Sequence, residues 1–106
     1  MDSQENIINK INWVDYNIEY HRKKKIGTYY IYYNNDIDVN YIENYNNNGE
    51  LHGKQYSYYV KNRLREEYNY ENGKLNGLYK TYNRQGKLLS IITYKDNEII
   101  DSINYN

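Results

Sequence analysis

Gly49-Glu-Leu-His-Gly53 returns as Gly73-Lys-Leu-Asn-Gly77, and Tyr58 returns as Tyr82 after the same 24-residue step. Shifted likewise, Asn62 falls on Gly86, Leu64 on Leu88 and Tyr70 on Tyr94, while Asn97, Ile99 and Asp101 begin a third, worn copy. The chain reads as a repeat array. Stacked repeats contact mainly their neighbours and expose long faces, so function is to be sought on surfaces rather than in a buried pocket.

Each copy reads as strand, turn, strand, turn. From Gly77 the chain runs to Tyr82, meets Asn83-Arg-Gln-Gly86, runs on from Lys87 to Tyr94 and turns at Lys95-Asp-Asn97. Gly86 suits the left-handed position of a three-residue hairpin loop, and Asn62 holds the equivalent place. That geometry sets Tyr82 opposite Leu88 and Tyr58 opposite Leu64. In the first copy the turn is one residue shorter, and Asn34-Asn35 fits a two-residue type I′ turn that faces Tyr32 with Ile37. Gly49, Gly53, Gly73, Gly77 and Gly86 read as turn and close-packing positions.

Strict alternation from these pairs collects one apolar face: Tyr30, Tyr32, Ile37, Val39, Tyr41, Tyr56, Tyr58, Leu64, Tyr68, Tyr70, Leu78, Tyr82, Leu88, Ile92 and Tyr94. The opposite face carries Ser57, Arg65, Glu67, Asn69, Thr81 and Thr93, with Tyr79, Leu89 and Ile91 as apolar exceptions. The first face reads as core and the second as solvent. Val14, Tyr16, Ile18 and Tyr20 alternate like a further half repeat. Before them, residues 1–13 read as a cap, either a short amphipathic helix through Ile7, Ile8, Ile11 and Trp13 or another strand, leaving 14–106 as the hairpin domain.

A chain of 106 residues is one small domain that buries roughly two-thirds of its unfolded surface, which leaves little room for a deep catalytic cavity. It holds 17 Tyr and no Phe, Pro or Cys. A phenol differs from a phenyl ring by its polar tip, so choosing Tyr throughout suits rings packed on one side and wet at the other. The lack of cysteine rules out a disulfide framework and fits an intracellular protein. The expectation is of a chain neither secreted nor transmembrane, because no signal-peptide pattern opens it and its apolar runs are short. Fourteen basic and fourteen acidic side chains cancel, which disfavours wholesale electrostatic binding to nucleic acid.

Gly-x-x-x-Gly-x-x-x-x-Tyr followed by Gly-Lys-Leu and then Tyr-x-x-Gly or Asn resembles the MORN-repeat variant, in the form also found in antitoxin components of toxin–antitoxin systems. The best stretch runs from Asn72 to Asn97, and the resemblance covers Gly27 to Asp101 with decreasing clarity at either end. It implies an all-β antiparallel meander of successive hairpins, used by relatives as scaffold, partner-binding or membrane-associated modules. The chain departs from the pattern where the first copy lacks its leading glycine pair and where Asn97 and Asp101 stand in glycine places. An Asn- and Tyr-rich version suits a large DNA virus or an AT-rich bacterium.

The residues offer little catalytic chemistry. His21 and His52 sit in turns, and there is no spaced His/Asp/Glu cluster and no Cys for a metal. Glu66 and Glu67 are adjacent in a strand, so their carboxylates diverge and cannot act as a pair. Glu67 reads as solvated and Glu66 as a partner for Lys80 or another cation. No Gly-Lys-Ser/Thr follows the glycine motifs, which removes a phosphate-loop reading. The sequence therefore points to a non-enzyme without cofactor, a module for protein–protein interaction or scaffolding. Competing readings are an anionic-membrane or nucleic-acid binder acting through Arg22, Lys23, Lys24 and Lys25, and an antitoxin or immunity-type protein that neutralises a partner. The terminal strand offers Ile99, Ile103 and Tyr105 as an interface, with a homodimer as the expected assembly.

Overall fold

The computed structural model describes residues 25–105. Seven strands follow one another: β1 (Gly27–Tyr32), β2 (Val39–Tyr45), β3 (Gly53–Tyr59), β4 (Arg63–Glu71), β5 (Lys74–Tyr82), β6 (Leu88–Lys95) and β7 (Glu98–Asn104). They form one sheet in the order β1-β2-β3-β4-β5-β6-β7, with every neighbouring pair antiparallel. The expected meander of hairpins is the fold. The cap over 1–13, the half repeat over 14–20 and the basic residues Arg22, Lys23 and Lys24 lie outside the described residues.

Turn chemistry fixes the hairpins. Asn72 and Gly73 both have positive φ, 49° and 86°, as the two-residue type I′ turn between β4 and β5 requires, and Asp96-Asn97 repeats this with 49° and 72°. Gly86 has φ 87° and donates its N–H to Asn83 O at 3.0 Å, while Asn83 Oδ1 accepts from the N–H groups of Gln85 and Lys87. Asn46 organises the β2–β3 loop in the same way, with Gly49 donating to Asn46 O. Asn62 takes up the left-handed conformation expected of it, φ 58°.

The ladder confirms Tyr82 opposite Leu88 and Tyr58 opposite Leu64. The first hairpin differs from expectation. Tyr32 faces Val39, not Ile37, and Ile37 is 74% exposed. The loop is longer than two residues, because Tyr33 N–H reaches Asp38 O, and Asp36, not Asn34, takes positive φ. Asn35 Oδ1 accepts from the N–H groups of Ile37 and Asp38, an Asx-type closure that a two-residue turn would forbid.

The expected apolar face is corrected at the β1–β2, β3–β4 and β5–β6 hairpins. The register slips by one residue at Asn40, Arg65, Leu89 and Ile100, each a β-bulge close after a turn, and it shifts again between Tyr68 and Tyr70 in the β4–β5 pair. A bulge places two residues opposite one, so side chains beyond it fall on the other face from strict alternation. Tyr58, Leu64, Tyr82 and Leu88 therefore share one face, whereas Tyr41, Tyr68, Tyr70, Ile92 and Tyr94 lie on the other. On that second face the ladder aligns Tyr41, Ser57, Glu66, Thr81 and Ser90 in one row, and Tyr68, Tyr79 and Ile92 beside it.

Among the described residues no apolar side chain is buried. The two buried residues are Gln55 at 1% exposure and Ser57 at 0%, both polar. The slab measures 44 × 31 × 14 Å with a radius of gyration of 15.1 Å, above the about 12–13 Å of a compact domain of this length. Half-buried rings over a single sheet replace a two-layer core.

Candidate interaction surface

The face that carries Tyr41, Tyr68, Tyr70 and Tyr94 is built around the polar row. Ser57 Oγ donates to Glu66 Oε1 at 2.9 Å and accepts from Arg65 Nε at 3.3 Å, and the hydroxyls of Thr81 and Ser90 meet at 2.7 Å. Rings pack beside this strip. Tyr68 stacks on Tyr79 with centroids 4.7 Å apart and planes 14° from parallel, and Tyr70 and Tyr94 extend the group at 6.0 and 5.9 Å. Burial against the sheet, reinforced by the Glu66 and Glu43 carboxylates, pushes the Tyr68 phenol up to about 12. Burial and then Glu66, which also holds the phenolic proton, raise Tyr79 as well. These phenols therefore stay protonated at neutral pH.

Glu66 and Glu67 diverge as expected, but their partners differ from the reading of the sequence. Lys80 lies opposite Glu67 in the ladder, so it is not on the Glu66 side of the sheet. Glu67 is ion-paired: Lys54 Nζ stands 3.0 Å from its Oε2, and this hydrogen bond raises the Lys54 pKa. Glu66 instead accepts from Ser57 and neighbours Tyr79.

The proposed interface residues lie on or beside β7, the last strand of the sheet among the described residues. Ile99, Ile100 and Ile103 on β7 are exposed, as is Tyr105, whose N–H donates to Leu89 O at 2.7 Å and extends the pairing past the strand. At the opposite edge Lys25 Nζ lies 5.7 and 5.6 Å from the ring centroids of Tyr29 and Tyr45, which are themselves packed edge to face. Gly49, Gly53, Gly73, Gly77 and Gly86 all have positive φ. At Gly77 a Cβ would stand in ordinary contact with Asn69 Cβ, 3.4 Å away, so the φ of 105° is what disfavours a side chain there.

Gln55 carried no signal in the sequence, where it reads as one polar residue among alternating tyrosines. Its Oε1 accepts from Asn44 N–H at 2.7 Å and its Nε2 donates to Asn44 O at 2.9 Å. The side-chain amide thus imitates a peptide group and completes the ladder where β2 and β3 share only two register pairs and a separate bridge, Tyr45 with Leu51. His52 is also structural, its Nδ1 accepting from Asn72 N–H at 3.1 Å. No group of three metal-ligating side chains occurs among the described residues, and no helix there is long and apolar enough to cross a membrane.

No family model matches the chain, and neither the curated proteins nor the solved structures yield a match.

Proposed function

We propose that this chain is a non-catalytic interaction or scaffold module that presents an open sheet to a protein partner. The observation that carries the reading is the apolar edge: Ile99, Ile100, Ile103 and Tyr105 stand exposed on and beside the terminal strand β7. Unpaired strand edges recruit extended segments by β-addition, in which backbone hydrogen bonds supply affinity and alternate side chains supply selection. The resemblance to MORN-type repeats, relatives of which serve as scaffolds and partner-binding modules, supports the same reading. A lack of cysteine suits an intracellular setting. A second copy of the chain is the first partner to test, since closed symmetric dimers are the commonest assemblies.

Affinity purification of the tagged full chain from its native host, with mass spectrometry, tests the reading alongside light scattering of the pure protein. A salt-tolerant complex or a self-association, lost in an Ile100→Lys/Ile103→Lys variant that melts like the parent, is the expected result. A monomer at high concentration together with no captured protein would overturn it.

A further inference from the structure

The ends of the β3–β4 and β5–β6 hairpins bring together arginines that the sequence keeps apart. Arg63 lies opposite Tyr59 in the ladder, and Arg65, two residues on, reaches the same face, where its Nε donates to the Ser57 hydroxyl. From the next loop, the Arg84 guanidinium lies 4.7 Å from the Tyr59 ring centroid, and that of Arg65 lies 5.8 Å away. The arrangement is pinned from both sides. Tyr59 hydroxyl donates to Tyr82 O at 2.9 Å, and Arg63 Nη1 donates to Arg84 O at 2.9 Å. Between the loops opens a notch of about 520 Å³ lined by Arg63, Leu64, Tyr82, Arg84, Gln85 and Gly86.

Among the described residues, none of these three arginines has a carboxylate within ion-pair distance. Glu66 reaches Arg65 only through the Ser57 hydroxyl. Like charges gathered without a counter-charge repel one another, and a bound anion reverses the sign of that term. We propose that the notch binds a phosphate monoester dianion through the Arg63 and Arg84 guanidiniums, with Tyr59 as the plate that orients Arg84. Guanidinium forks match phosphate oxygens in pairs, and stacking on a ring removes the rotamer freedom that such a contact would otherwise have to order.

The surrounding charge limits the ligand to a single group. The β1–β2 loop, tied to the β3–β4 loop by Val39 N–H donating to Asn62 Oδ1 at 2.9 Å, carries Asp36 and Asp38. A polyanionic strand running along the loop ends would meet these carboxylates, and the chain carries no net positive charge to offset them. One dianionic group seated between Arg63 and Arg84 avoids both.

The test is an NMR titration of the full chain that follows the arginine Nε–Hε resonances with inorganic phosphate and, separately, with a short phosphoserine peptide. The two arms distinguish free phosphate from a phosphorylated side chain as its source. Saturable shifts at Arg63 and Arg84 are expected with at least one probe. Arg84→Gln should weaken binding about tenfold, the scale of one charge-assisted contact. Arg84→Lys should restore it only in part, because it keeps the charge and loses the fork. Lys54→Gln, on the other face, should leave it unchanged. Shifts that rise linearly and are matched by chloride would overturn the proposal, as would equal affinity in the Arg63→Gln/Arg84→Gln chain. So would tighter, steeply salt-dependent binding of a ten-residue oligothymidylate, which would reassign the arginines to a nucleic-acid track.

Discussion

Gln55 and Tyr79 occupy the same place in successive copies, 24 residues apart, and hold the sheet by different means. At the β2–β3 junction two ladder pairs suffice because the Gln55 amide supplies the missing peptide-like link to Asn44. At the β4–β5 junction a longer ladder is covered by the ring stack of Tyr68 and Tyr79. Both junctions retain an asparagine that bonds across to the next strand, Asn44 to Lys54 O and Asn69 to Leu78 O. A repeat position is thus a geometric slot, filled with hydrogen bonds where the backbone falls short and with apolar area where it does not.

Gln55→Leu should break the comparison most severely. It leaves the Asn44 N–H and C=O facing an apolar side chain in a buried place, and urea unfolding should report a loss of about 2–4 kcal/mol. Tyr79→Ala removes the plate on which Tyr68 lies and should cost about 2 kcal/mol, less than a fully buried ring because this one is half exposed. If both changes cost the same within error, the two junctions are not held differently.

The raised phenols add a pH readout. Tyr68, and with it Tyr79, binds its proton more tightly in the folded chain than the ordinary tyrosine value near 10. Between pH 10 and 12 the unfolded chain therefore holds fewer protons at these sites, so stability is intact below pH 10 and falls as pH rises through the Tyr68 value of about 12. Tyr79→Phe should shallow that decline, and ultraviolet titration should show fewer late-ionising phenols.

Gly86→Val forces a β-branched residue into φ 87° and should cost about 1–2 kcal/mol even though open space surrounds the site. A melting temperature unchanged from the parent would show that the loop can be rebuilt. Glu67→Gln should be the mildest change, within about 0.5 kcal/mol, because Lys54 is half exposed and its ion pair is screened by solvent.

The hairpin partners were legible in the sequence because they depend on local turn chemistry: Gly86 and Asn62 announce left-handed backbone, and from them Tyr82 with Leu88 and Tyr58 with Leu64 follow. The faces were not legible. Nothing in the residue types of Asn40, Arg65 or Leu89 marks them as bulges, yet each one flips the side chains beyond it; the bulge at Arg65 brings Glu66 and Tyr68 to the face of Ser57, which reads as solvent-facing and is wholly buried. Nor could spacing reveal the arginine cluster. Arg84 meets Tyr59 only because two loops land on the same end of the sheet.

Spatial order follows chain order from β1 to β7, with no crossover among the described residues. During synthesis, each strand can find its partner as soon as the following turn leaves the ribosome, without waiting for distant sequence to be made. By the same logic, gain or loss of one whole 24-residue copy changes the length of the array and leaves the remaining pairings intact. Such a chain can alter its reach through duplication, while each loop end remains free to diverge.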